Sequence, residues 1–62
     1  MKNYYYVSFE IRDYIYCTNI AHAENKEKVS DYYSKYPWFY IRDIVNGEVE
    51  MAREKGMPIV EI

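Results

Sequence analysis

Cys17 and His22 are the only thiol and the only imidazole in this 62-residue chain. A thiolate beside an imidazole makes a nucleophile and its base, but the spacing here works against that pairing. Five residues apart on a strand, the two fall on opposite faces. A bulge at Asn19 would bring them to one face, yet leave them ~10 Å or more apart at roughly 3.3 Å per residue. Cys17 therefore reads as a small core residue and His22 as a surface residue ahead of a helix. The same two side chains are too few for a tetrahedral zinc site, and no metal or other cofactor is expected. Glu48, Glu50 and Glu54 would line one helix surface, which a solvated face explains as well as acid–base chemistry does. Gly47 and Gly56 are the only glycines, too few for a phosphate-cradling loop. These residue types and spacings predict no enzyme.

Recognition is better served. The chain has nine tyrosines, and tyrosine offers a stiff apolar ring with a polar tip, the kind of side chain enriched at interfaces. Tyr4, Tyr5, Tyr6, Tyr14 and Tyr16 cluster near the start, so the elements that hold them decide what they do. Residues 3–11 alternate strictly, with Tyr5, Val7, Phe9 and Ile11 on one face and Tyr4, Tyr6, Ser8 and Glu10 on the other, which predicts a half-buried strand. Residues 14–21 form the return strand. A two-residue Arg12-Asp13 loop would set Tyr14, Tyr16 and Thr18 on the apolar side. Arginine suits the positive φ of such a turn poorly, so a three-residue loop ending at Tyr14 is favoured, with Ile15 and Cys17 inward and Tyr14 and Tyr16 outward. Ile20 then falls on the wrong face unless a bulge at Asn19 intervenes.

From Ala23 the period changes. Asn25 is a good N-cap, and Val29, Tyr32, Tyr33 and Tyr36 recur at helical spacing, which predicts a helix over residues 26–35 with Asp31–Lys35 support on its polar side. Pro37 ends it. Trp38-Phe39-Tyr40-Ile41-Arg42 reads as a third strand. Asn46-Gly47 is a hairpin signal, but residues 48–55 carry acids early and bases late with Gly56 behind them, so a helix started by Asn46 or Asp43 is the stronger reading. Pro58 then admits a short strand, residues 59–61. The order β-β-α-β-α-β predicts a single α+β domain over residues 1–62. Its architecture would be two-layer, a small mainly antiparallel sheet with both helices on one face.

Size and charge narrow the function. A 62-residue domain buries a small share of its surface and needs a staple, efficient packing or self-association. The lone cysteine excludes a disulfide within the chain, while aromatics make up 19% of it. Net charge is −2 and the pI about 5.2, which weighs against non-specific nucleic-acid binding. One unpaired cysteine and the absence of a signal-like or membrane-spanning run predict a cytoplasmic protein with no membrane partner.

In its opening Tyr4-Tyr5-Tyr6-Val7, its Tyr16-Cys17-Thr18-Asn19 run and its closing Lys55-Gly56-Met57-Pro58-Ile59-Val60-Glu61-Ile62, the chain resembles a loose set of short, uncharacterised proteins carried by phages and plasmids of Gram-positive bacteria. That resemblance implies context only: such proteins often bind a host or rival protein, and some block defence systems.

The expected function is a non-enzymatic protein-binding module, of the mobile-element inhibitor type. Tyr4, Tyr6, Tyr14 and Tyr16 form its binding face, extended by Trp38 and Tyr40 from the third strand. A homodimer is expected as well, through an edge strand or the tyrosine face. Two alternatives use the same residues: single-stranded nucleic-acid binding by base stacking, against which Glu10, Asp13 and the acidic total speak, and a structural homodimer with no separate ligand.

Overall fold

The computed structural model describes all 62 residues, Met1–Ile62. Its elements follow the expected order: β1 (Asn3–Arg12), β2 (Ile15–Ala23), α1 (Lys26–Tyr33), β3 (Trp38–Asp43), α2 (Glu48–Lys55) and β4 (Ile59–Glu61). The four strands make one mixed sheet in the order β3-β1-β2-β4. β1 runs antiparallel to both β2 and β3, and β4 runs parallel to β2. The chain is a small α+β fold.

The inner face carries the main core. Tyr5, Val7 and Phe9 of β1, with Ala21 and Ala23 of β2, are buried against Val29 and Tyr33 of α1. Phe9 lies 5.0 Å from the Tyr33 ring and 4.6 Å from the Tyr36 ring, centre to centre. These tilted pairs add about 0.5–1.5 kcal/mol each to the burial itself. Asn25 caps α1 as expected, its side chain accepting from the Lys28 N–H at 3.0 Å. The helix is shorter than residues 26–35, and its stripe narrows. Tyr33 is buried and Tyr36 half-buried, while Tyr32 rolls out to solvent. Lys35 does not pair with Asp31; its ammonium lies 4.7 Å from the Tyr32 ring centre and 5.4 Å from that of Tyr36.

The hairpin corrects the expected turn. The loop is Asp13-Tyr14, both with positive φ, +44° and +64°, and Arg12 stays in the strand opposite Ile15. The irregularity falls between Glu10 and Arg12, so Ile11 is the extra residue. Ile11 therefore leaves the core face and is 43% exposed. Tyr16 points outward opposite Glu10 and Cys17 inward opposite Phe9, as expected, but Ile15, beyond the bulge, is exposed. There is no bulge at Asn19. It lies opposite Val7 on the inner face, and its amide donates to the Tyr33 hydroxyl at 3.0 Å.

The second helix is on the other side of the sheet. Ile20 pairs with Tyr6, so both belong to the outer face, and together with Met51 and the buried Ala52 of α2 they line a cavity of about 190 Å³. The expectation of both helices on one face is thus corrected, for a topological reason. β2, β3 and β4 all run opposite to β1. The α1 connection moves across β1 to one edge, and the α2 connection moves back across the whole sheet to the other. Crossovers of one hand in opposite lateral directions must use opposite faces. Ile20 is not on a wrong face; the outer face has its own cover.

Local chemistry sets the bounds of α2. Neither Asn46 nor Asp43 caps it. Gly47, at φ +87°, precedes the helix without a side-chain cap, and the Glu48 carboxylate instead accepts from the Val45 N–H at 2.6 Å. Gly56 ends the helix at φ +73°. There the Gly56 N–H bonds to the Arg53 carbonyl at 3.2 Å and the Met57 N–H to that of Ala52 at 2.8 Å, a Schellman ending that only a residue tolerant of positive φ allows cheaply. Neither helix is long and apolar enough to cross a membrane.

Candidate protein-interaction surface

The outer face divides into a covered half and an open half. In the covered half, Tyr4 stacks on His22 with ring centres 4.2 Å apart. His22 Nδ1 lies 2.9 Å from the Glu61 carboxylate on β4, and Lys2 reaches the same carboxylate at 3.4 Å. The hydrogen bond with His22, aided by Lys2, holds the Glu61 carboxyl below its usual range. The Arg42 guanidinium lies over the Tyr6 ring, 4.0 Å from its centre, and bonds both oxygens of Glu48 at 2.9 and 2.7 Å. This forked pairing, with the Val45 N–H, lowers the Glu48 carboxyl to about 2. Tyr4 and Tyr6 are half-buried in consequence. They belong to the structure of the face more than to its accessible part.

The open half lies towards the hairpin turn. A row runs across three strands, Tyr16 on β2, Glu10 on β1 and Trp38 on β3, with Glu10 directly opposite both neighbours. The Tyr16 and Trp38 rings meet edge to face over it, centres 5.8 Å apart and planes at 87°. The adjacent row is Thr18, Ser8 and Tyr40. Ser8, Glu10, Tyr16 and Trp38 line a shallow depression. Tyr16 is 54% exposed, Trp38 47% and Tyr40 52%. The fold thus brings three of the six expected aromatics together on an accessible surface. Tyr14 is not on the sheet; it sits at the second position of the turn, 84% exposed.

The turn is tied to that surface. The Tyr14 N–H donates to Glu10 Oε2 at 3.0 Å, so the residue between Tyr16 and Trp38 in the row also holds a strained backbone. Two consecutive non-glycine residues at positive φ cost about 1–2 kcal/mol each, and the Glu10 bond offsets part of that. Glu10, Ser8 and Thr18 are the residues that sequence reasoning did not place in the site. The alternation of residues 3–11 already put Ser8 and Glu10 on the tyrosine side.

The groups considered for chemistry stay apart. Cys17 lies on the inner face and His22 on the outer face of β2. Glu48 is consumed by Arg42, and no three His, Cys, Asp or Glu side chains converge. Comparisons with protein-family models, with curated proteins and with solved structures give no match.

Proposed function

We propose that the chain is a non-enzymatic protein-binding module that receives its partner on the open half of the outer face, at Tyr16, Trp38 and Tyr40. The observation that carries the reading is the asymmetry of cover. α2 shields Tyr6 and Ile20 but leaves three large aromatics exposed side by side, and contiguous exposed apolar area of this kind marks association sites. Tyr16 and Trp38 pack edge to face on each other, so less side-chain entropy remains to be lost there on binding. The mobile-element context implied by the resemblance makes a host or defence protein the natural partner.

Glu10 favours a protein over a nucleic acid. It stands between Tyr16 and Trp38 in the row across the sheet, its carboxylate held at the turn by the Tyr14 N–H. That puts negative charge beside the rings, where a stacked strand would bring phosphates, and the nearby Arg42 is already neutralised by Glu48. Capture from cells with the wild-type chain, the Tyr16→Ser/Trp38→Ser/Tyr40→Ser variant and a Tyr32→Ser control tests the reading. A partner retained by the control and lost by the triple variant, with unchanged circular dichroism, supports it. Equal capture by all three overturns it. Quenching of Trp38 fluorescence by oligonucleotides at low salt, without protein capture, would point to the single-strand alternative.

A further inference from the structure

The direction of the main-chain hydrogen bonds across this sheet can be followed strand by strand. The Ile20 N–H donates to the Pro58 carbonyl and the Ile62 N–H to that of His22, each at 3.0 Å, so the even residues of β2 turn towards β4. Its odd residues turn towards β1, which makes Tyr5–Ala21, Val7–Asn19 and Phe9–Cys17 the bonded pairs of that ladder. The even residues of β1 are then left to bond β3, through Trp38, Tyr40 and Arg42. Phe39 and Ile41 therefore direct their N–H and C=O groups off the free edge of the sheet, where no strand lies.

The two edges differ in length. Each follows a proline, Pro58 or Pro37, and each carries an acid paired to a lysine at 3.4 Å, Glu61 with Lys2 and Asp43 with Lys26. β4 has only three residues, whereas β3 has six, WFYIRD, and its middle, Phe39 to Ile41, holds no proline, charge or bulge that would block edge pairing. Its one cation, Arg42, is neutralised by Glu48.

We infer that two copies of this chain join through β3, antiparallel about a two-fold axis beside Tyr40, to form one eight-stranded sheet. With Tyr40 opposite its own copy, Phe39 of each chain faces Ile41 of the other, and each such pair exchanges two main-chain hydrogen bonds. All the edge-directed groups of Phe39 and Ile41 are then satisfied. On the inner face Phe39 and Ile41, already packed against the core cluster, join the two cores. On the outer face Trp38 falls opposite Arg42 of the second copy, a guanidinium–indole pairing. With Ile41 on the axis instead, Phe39 would face Asp43, an apolar side chain against an acid. The axis stands perpendicular to the sheet, so both open aromatic halves lie on the same side. The pairing goes beyond the partner-binding reading and does not depend on it.

Sedimentation equilibrium from low to high micromolar concentration tests the proposal on three chains. The wild type should rise from 7.6 kDa to twice that mass. Tyr40→Lys sets two ammonium groups against each other on the axis without touching the core, and should stay monomeric. Tyr16→Lys, on the same face but one strand further in, should dimerise like the wild type. Hydrogen exchange on the wild type needs no variant: the Phe39 and Ile41 amides should be protected when concentrated and lose protection on dilution. A wild type that stays monomeric throughout overturns the proposal. So does a dimer broken by Tyr16→Lys but not by Tyr40→Lys, or one in which those two amides exchange freely.

Discussion

Asn19 on β2 and Tyr33 on α1 are joined by a hydrogen bond of 3.0 Å, amide to hydroxyl, inside an otherwise apolar layer. Burial pushes the Tyr33 hydroxyl above its usual range, and the Asn19 bond opposes that shift. Replacing Asn19 with leucine leaves the hydroxyl without this partner, which should cost about 1–3 kcal/mol. Adding Tyr33→Phe should recover part of the loss, since both polar ends are then gone. Urea unfolding of the two single variants and the double variant measures the coupling. Strictly additive losses would mean the pair is not a unit.

Ile20 is almost fully buried although it lies on the face away from the main core. Ile20→Ala should therefore destabilise by about 2–4 kcal/mol, as in a conventional core. The urea midpoint decides the matter. A loss near zero would mean that α2 does not cover the outer face in solution.

The Arg42–Glu48 fork should leave a mark on acid stability. Glu48 titrates lower in the folded chain than in the unfolded one, so its contribution is complete above its ordinary value of 4.5 and fades as the pH falls to about 2. Glu61 shifts in the same direction, chiefly through its hydrogen bond with His22. Glu48→Gln should be less stable than wild type at neutral pH and lose less on acidification. Urea midpoints measured across that window check this, and parallel curves for the two proteins would contradict it.

Tyr14 occupies a position at φ +64° that glycine fills without strain. Tyr14→Gly should raise stability by about 1 kcal/mol, the left-handed penalty removed. Thermal or urea unfolding reads the gain directly. If partner capture weakens in the same variant, the tyrosine at the tip serves recognition at the expense of the turn. A destabilised Tyr14→Gly would show that the ring makes contacts worth more than the strain.

Most of the architecture was legible in local pattern. The alternation from Tyr4 to Glu10, the Asn25 cap and the Gly56 stop are local signals, and each is where the chain predicts it, while at Ile11 the bulge breaks the alternation. What was not legible depends on relations between distant segments. Ile20 falls on the face away from the main core, and in the sequence its hydrophobicity is the one sign of a second covering layer. Arginine disfavours positive φ at residue 12, but the strain falls one step on, on Asp13 and Tyr14, whose left-handed pair no single-residue preference signals. The aromatic patch was half visible. Parity along the strands placed Tyr4, Tyr6 and Tyr16 on one face, but only the strand order brings Trp38 beside Tyr16 and lays α2 over Tyr6.

The bulge at Ile11 has a consequence for how the chain tolerates lost codons. Every residue of β1 before it has a fixed parity, which sets its face and also the neighbour strand it bonds. Removing one of them, such as Val7, would exchange core and surface for every residue on one side of the gap. Ile11 is the residue in excess. Without it Glu10 would still face Tyr16, Arg12 would still face Ile15, and the Asp13-Tyr14 turn would close a regular ladder. A scan of single-residue deletions should therefore find Ile11 permissive, and should find Val7, Ser8 and Phe9 intolerant, the loss of any of these three unfolding the protein.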